Sequence, residues 1–140
     1  MQYIKSISIL FTSIFILFSC AGDSASSSTN NDTETKYTRT IPPSEFLNIY
    51  QATPGATLVD VRTAKEYHAG KVAPAAVNID YHGDKFITNI LEFDRSEPIF
   101  IYCYSGGRSS KAAYKMRQLG FDRIYEMKGG YQQWEKEYKK

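Results

Sequence analysis

The chain has 140 residues, room for one domain. Its 17 basic and 15 acidic residues leave a net charge of +2, and the basic residues are scattered, which argues against a nucleic-acid-binding surface. Two cysteines are too few for a disulfide-built scaffold, and two histidines without a second pair of nearby ligands do not make a metal site. No internal repeat is visible.

In chain order, Lys5 precedes an apolar run from Ile7 to Phe18, broken by Ser8, Thr12 and Ser13. At about 12 residues it is too short to span a bilayer, and residues 1–19 read as a secretory signal peptide. The run ends in Leu17-Phe18-Ser19-Cys20, which resembles a bacterial lipobox, although Phe18 is bulkier than the usual residue there. The resemblance implies that Cys20 carries lipid, a membrane anchor, and a place in the bacterial cell envelope; ordinary cleavage is the competing reading. Residues 20–36, rich in Ser, Thr and Asn, offer no side chain larger than Ala for a core beyond Cys20 itself. They read as a flexible tether with a reach of roughly 20–25 Å.

From residue 37 to residue 140 the pattern alternates strand and helix. Tyr37 to Thr40 fits a short edge strand, and Pro43 opens a helix with Phe46, Leu47 and Tyr50 on one face. Gly55 interrupts, then Thr57 to Val61 reads as a buried strand and Ala76 to Ile79 as the next. Phe86, Ile87, Ile90 and Phe93 suggest a helix, and Ile99 to Tyr102 is a wholly apolar strand. Ala112, Ala113, Met116 and Leu119 recur at helical spacing before Gly120; Arg123 to Met127 is a last strand, and Tyr131, Trp134 and Tyr138 line a final helix. Such alternation predicts an α/β fold with a mainly parallel five-stranded sheet and helices on both faces.

The chemistry concentrates where the apolar strand meets the next helix, in Cys103-Tyr104-Ser105-Gly106-Gly107-Arg108-Ser109. Two glycines let the backbone curl so that successive N–H groups converge, and the following helix adds the positive end of its dipole. A cysteine facing that cradle is a better thiolate than a free one. Arg108 could pin an anion with its fork of donors. Ser109 could cap the helix or donate to a bound sulfur. Ligands in parallel sheets gather at the carboxyl ends of strands, where Cys103 falls.

This loop resembles that of the rhodanese-like sulfurtransferases. So do Leu58-Val59-Asp60-Val61-Arg62, Glu66-Tyr67, Gly70 and Ala76-Val77-Asn78-Ile79 ahead of it, and Lys128-Gly129-Gly130-Tyr131-Gln132-Gln133-Trp134 after it. The resemblance covers residues 37–140. It implies that Cys103 takes sulfur from an anionic donor such as thiosulfate, holds it as a persulfide, and passes it to a thiol or cyanide-like acceptor without metal or organic cofactor. It further implies that Tyr104, Ser105, Gly106, Gly107, Arg108 and Ser109 contact substrate, and that Asp60 and Arg62 brace the loop from behind. The domain is read as a monomer. Lys71 stands where the family usually has His after Gly70, and the turn to Val77 is about one residue longer.

Two other readings compete. Phosphatases and arsenate reductases also place a Cys in an anion loop, but tyrosine-phosphatase-like loops have five residues between Cys and Arg, and here there are four. A lipid-anchored binding or sulfur-carrier module is the non-enzymatic alternative. Trp134 reads as core, and His68 and His82 as surface residues.

Overall fold

The computed structural model describes residues 36–139; the signal-peptide and Cys20 lipidation expectations fall outside the described residues. Five strands and five helices alternate: β1 (Tyr37–Ile41), α1 (Pro43–Ala52), β2 (Thr57–Asp60), α2 (Ala64–Ala69), β3 (Val77–Asn78), α3 (Phe86–Ile90), β4 (Ile99–Tyr102), α4 (Gly107–Gln118), β5 (Arg123–Met127) and α5 (Gly130–Tyr138). The strands form one sheet in the order β1-β5-β4-β2-β3, every pairing parallel.

β4 lies at the centre of the sheet, with all four residues buried, as its unbroken apolar run predicts for a strand covered on both faces. Alternate side chains feed two cores. Ile99 and Ile101 pack with Phe86 and Ile90 of α3 and with Ala112, Ala113 and Met116 of α4. Phe100 and Tyr102 pack with Phe46 of α1 and with Tyr131 and Trp134 of α5. Phe100 also stacks on Tyr125 with ring centroids 4.3 Å apart. Helices therefore cover both faces.

Local chemistry explains the edges of these elements. α1 begins at Pro43, whose fixed φ and missing N–H suit the first turn. α2 begins with a capping box: Thr63 accepts from the Glu66 N–H, and Glu66 reaches back to the Thr63 N–H. This helix has no buried residue, so no apolar stripe announces it. α3 stops at Ile90, leaving Phe93 on the following turn, and Ile87 is 38% exposed rather than core. β3 is two residues long, shorter than its apolar run suggests, because Val77 faces solvent at the sheet edge.

Candidate active site

Cys103 is the first residue beyond β4, and the turn into α4 wraps its side chain. Gly106, the N-cap of α4, holds φ 101°, a left-handed conformation that a residue with a Cβ adopts only with strain. That twist points the Gly106 N–H at the Cys103 Sγ, 3.1 Å away. Gly107 differs from expectation: it is an ordinary first helical residue, and a Cβ built on it would meet nothing within 4 Å. One glycine makes the turn.

Cys103 is 1% exposed. Burial pushes its thiol up, but hydrogen bonds from the Ser109 N–H and hydroxyl and from the Gly106 and Ser105 N–H groups outweigh that and hold it below its ordinary value. These donors sit at the N-terminal end of α4, where the helix dipole also favours a negative sulfur. Ser109 is fully buried and its hydroxyl donates to the Gly106 carbonyl at 2.9 Å. It therefore does not accept from the helix as a cap, and the cap position belongs to Gly106.

The far side of the loop is held by backbone. The Tyr131 N–H donates to the Cys103 carbonyl at 2.8 Å and the Gln132 N–H to the Tyr104 carbonyl at 2.9 Å. Gly130 makes this approach possible: at φ 61°, a Cβ there would lie 2.5 Å from the Cys103 oxygen and 2.7 Å from the Tyr104 oxygen.

Asp60 and Arg62 are buried together, with the Arg62 guanidinium bridging both carboxylate oxygens at 2.5 to 3.0 Å. Arg62 also donates to the Gly70 carbonyl, and Asn78 ties the Asp60 and Arg62 carbonyls at 3.0 and 2.8 Å. The guanidinium lies 4.0 Å from the centre of the Tyr131 ring. Its connection to the cysteine loop thus runs through Tyr131, whose N–H holds the Cys103 carbonyl.

Arg108 departs from the simplest reading of its position. Both terminal nitrogens meet Glu66, at 2.7 and 2.6 Å, in a bidentate pair. Glu66, through its bonds to Arg108 and Thr63, is held far below the usual carboxylate range, at about 2. Arg108 is a partly covered bridge from the loop to α2, close enough to Cys103 for its charge to favour the thiolate. Ser105 is exposed, and Tyr104, 43% exposed, stands beside a cavity of about 290 Å³ whose wall includes Arg62, Glu66, Gly70 and Tyr131. His68 and His82 are exposed, and Trp134 is in the core.

Two side chains at this site were not among the sequence candidates. Glu66 carried a usable signal, since Thr63-x-x-Glu66 has the spacing of a capping box. Glu126 carried none: it sits inside the apolar β5 pattern, yet it is 7% exposed beside the first turn of α4.

The profile of the rhodanese-like domain matches residues 42–137. The chain is 32% identical over 98 residues to thiosulfate sulfurtransferase GlpE of Pseudomonas savastanoi pv. phaseolicola, an overlap of 70% of this chain and 88% of that one. It is 34% identical over 82 residues to the GlpE of Actinobacillus pleuropneumoniae serotype 5b, covering 59% and 73%. A rhodanese-related protein of Thermoplasma volcanium superposes with a TM-score of 0.61 at 26% identity, covering 71% of this chain and 93% of the other. A rhodanese-like domain protein of Staphylococcus aureus gives 0.60 at 28%, covering 69% and 90%.

Proposed function

The chain belongs to the rhodanese-like domain family, and we propose that it is a sulfurtransferase working through a Cys103 persulfide. The observation that carries this reading is the Cys103 sulfur at the N-terminus of α4, within a cradle of N–H donors from Ser105, Gly106 and Ser109. Curated relatives at 32% and 34% identity are thiosulfate sulfurtransferases.

In the proposed first half-reaction, the Cys103 thiolate attacks the outer sulfur of an anionic donor such as thiosulfate. The donor's S–S bond breaks, sulfite leaves with the electron pair, and the new S–S bond leaves a negative terminal sulfur on Cys103. The donors that favour the thiolate also suit this anion, and they are in place before the reaction, so little reorganisation is needed. In the second half-reaction a thiol or cyanide attacks the terminal sulfur, and Cys103 leaves as the thiolate again. No external oxidant is required.

Arg108 supplies positive charge at the mouth of the loop, and the Glu66 pair fixes where that charge stands. Tyr104, exposed beside the cavity, shapes the approach of the acceptor. We place the domain on a lipid anchor at Cys20, in the cell envelope, on the strength of the lipobox-like residues 17–20. Incubation of the purified protein with thiosulfate and cyanide tests the activity: thiocyanate forms with the native chain and not with Cys103→Ser. Equal thiocyanate from both would refute the role of Cys103.

A further inference from the structure

The Arg108 guanidinium has one end-on fork, and a carboxylate of the chain itself fills it. Nη1 donates to Glu66 Oε2 at 2.7 Å and Nη2 to Oε1 at 2.6 Å, the geometry with which arginine takes planar anions. Cys103 is 1% exposed. A donor that delivers its outer sulfur there therefore leaves its anionic head at the mouth of the loop, where Arg108 stands. That head and the Glu66 carboxylate compete for the same two nitrogens.

The pair can part at little cost. Its side chains are 21% and 30% exposed, so neither charge is stranded away from water on release. Glu66 Oε2 keeps two further donors, the Thr63 N–H at 3.0 Å and the Thr63 hydroxyl at 2.8 Å, so the capping box of α2 survives without Arg108. The Asp60–Arg62 pair is the contrasting case: its side chains are 0% and 2% exposed, and Arg62 is also tied to the Gly70 carbonyl. We propose that Glu66 is a specificity-determining residue for the sulfur donor: its carboxylate occupies the seat of the donor's anionic head on Arg108 and yields it to a head that presents two oxygens to the fork, as the sulfonate end of thiosulfate does. A neutral sulfur donor cannot make that exchange and forgoes Arg108. If Glu66 served only to aim Arg108 at the sulfur, loosening the pair would weaken the attraction of anions to Cys103; under exchange, loosening strengthens it.

The inference deepens the sulfur-transfer reading and rests on it for the class of donor, but its test uses no sulfur donor. Cys103 is alkylated at neutral pH by iodoacetate, which carries a carboxylate, and by uncharged iodoacetamide, with Cys103→Ser as the blank. The ratio of the two rates cancels any change in the reactivity of the thiol itself. Glu66→Asp keeps the charge but is one methylene too short for the two-pronged contact. It is expected to raise the iodoacetate-to-iodoacetamide ratio about fivefold, the upper end for an exposed pair. Glu66→Gln should raise it at least as much. Arg108→Ala should lower it, and in that background Glu66→Asp should change nothing. A ratio unchanged or lowered in Glu66→Asp would overturn the proposal, because Glu66 then only aims Arg108 or the anion uses another edge of the guanidinium. A rise in Glu66→Gln alone, or a Glu66→Asp rise of equal size without Arg108, would overturn it too, as an effect of charge at a distance. Failure to form a persulfide with thiosulfate would refute the sulfur-transfer reading, while the alkylation ratio would still decide whether Glu66 holds the anion's seat on Arg108.

Discussion

Arg108 and Glu66 form a two-pronged ion pair that fastens the cysteine loop to the first turn of α2. The same Glu66 carboxylate completes the α2 capping box with Thr63. One side chain thus caps the start of a helix and positions the charge beside the nucleophile. With the two side chains 21% and 30% exposed, the pair contributes about 1 kcal/mol of stability rather than the larger figure of a buried bridge. Its greater effect is on where Arg108 stands.

Glu66→Gln tests the pair through pH. Glu66 titrates near 4.5 unfolded and at about 2 in the fold, so its stabilisation is fully present above pH 4.5 and is lost progressively as pH falls toward 2. The variant should therefore be less stable than the native chain at pH 6, by about 1 kcal/mol. That gap should close in acid. Urea denaturation at pH 6, 4 and 3 measures it, and a gap independent of pH would contradict the assignment.

Arg108→Ala should raise the KM for thiosulfate about tenfold, the loss of about 1.4 kcal/mol of anion binding, with a smaller effect on kcat. Arg108→Lys keeps the charge but not the fork, and should fall between. Steady-state kinetics separates them, and a fall in kcat alone would place Arg108 in the transition state instead.

Asp60→Ala leaves the Arg62 guanidinium buried without its carboxylate. Breaking a buried pair from one side costs roughly 3–5 kcal/mol. Because Arg62 packs on Tyr131, which holds the Cys103 carbonyl, the loss should reach the loop as well as the melting temperature. Thermal denaturation and Cys103 alkylation rates check both. A stable variant with unaltered alkylation would dissociate the pair from the site.

The glycines separate by geometry. Gly130→Ala forces a Cβ to 2.5 Å from the Cys103 carbonyl at a left-handed φ, and should cost about 2 kcal/mol or more while lowering turnover at least tenfold. Gly107→Ala has open space and a helical backbone, and should be neutral or stabilise by up to about 1 kcal/mol. Denaturation and turnover of the two variants should diverge; similar losses would refute the geometric account.

Legibility followed the physics of each element. The four buried residues of β4, the Pro at the start of α1 and the spacing of Ala112, Ala113 and Met116 carry strong periodic or conformational signals, so strand, helix and the loop between them could be read directly. α2 has no apolar periodicity because it buries nothing, and its one local signal is a capping box, a pattern of four residues. Strand pairing order is a tertiary property that periodicity does not encode. Arg108 was visible as a charge beside Cys103, but its partner lies 42 residues away, and Glu126 was hidden because one polar residue in an apolar strand has no spacing of its own. The departure at Lys71 proved local: Lys71 is exposed, its amine donating to the Tyr67 hydroxyl, and the turn seats Val72 and Ala76 in the core.

The most direct test of the account is the intact mass of the purified protein after thiosulfate and then after cyanide, with Cys103→Ser in parallel. The account predicts a gain of one sulfur atom on the native chain, its removal by cyanide with thiocyanate released, and no gain on the serine variant. A Cys103 that is free and alkylated readily, yet gains no sulfur from thiosulfate, would contradict thiosulfate as donor. A sulfur gained equally by Cys103→Ser would contradict the persulfide at Cys103.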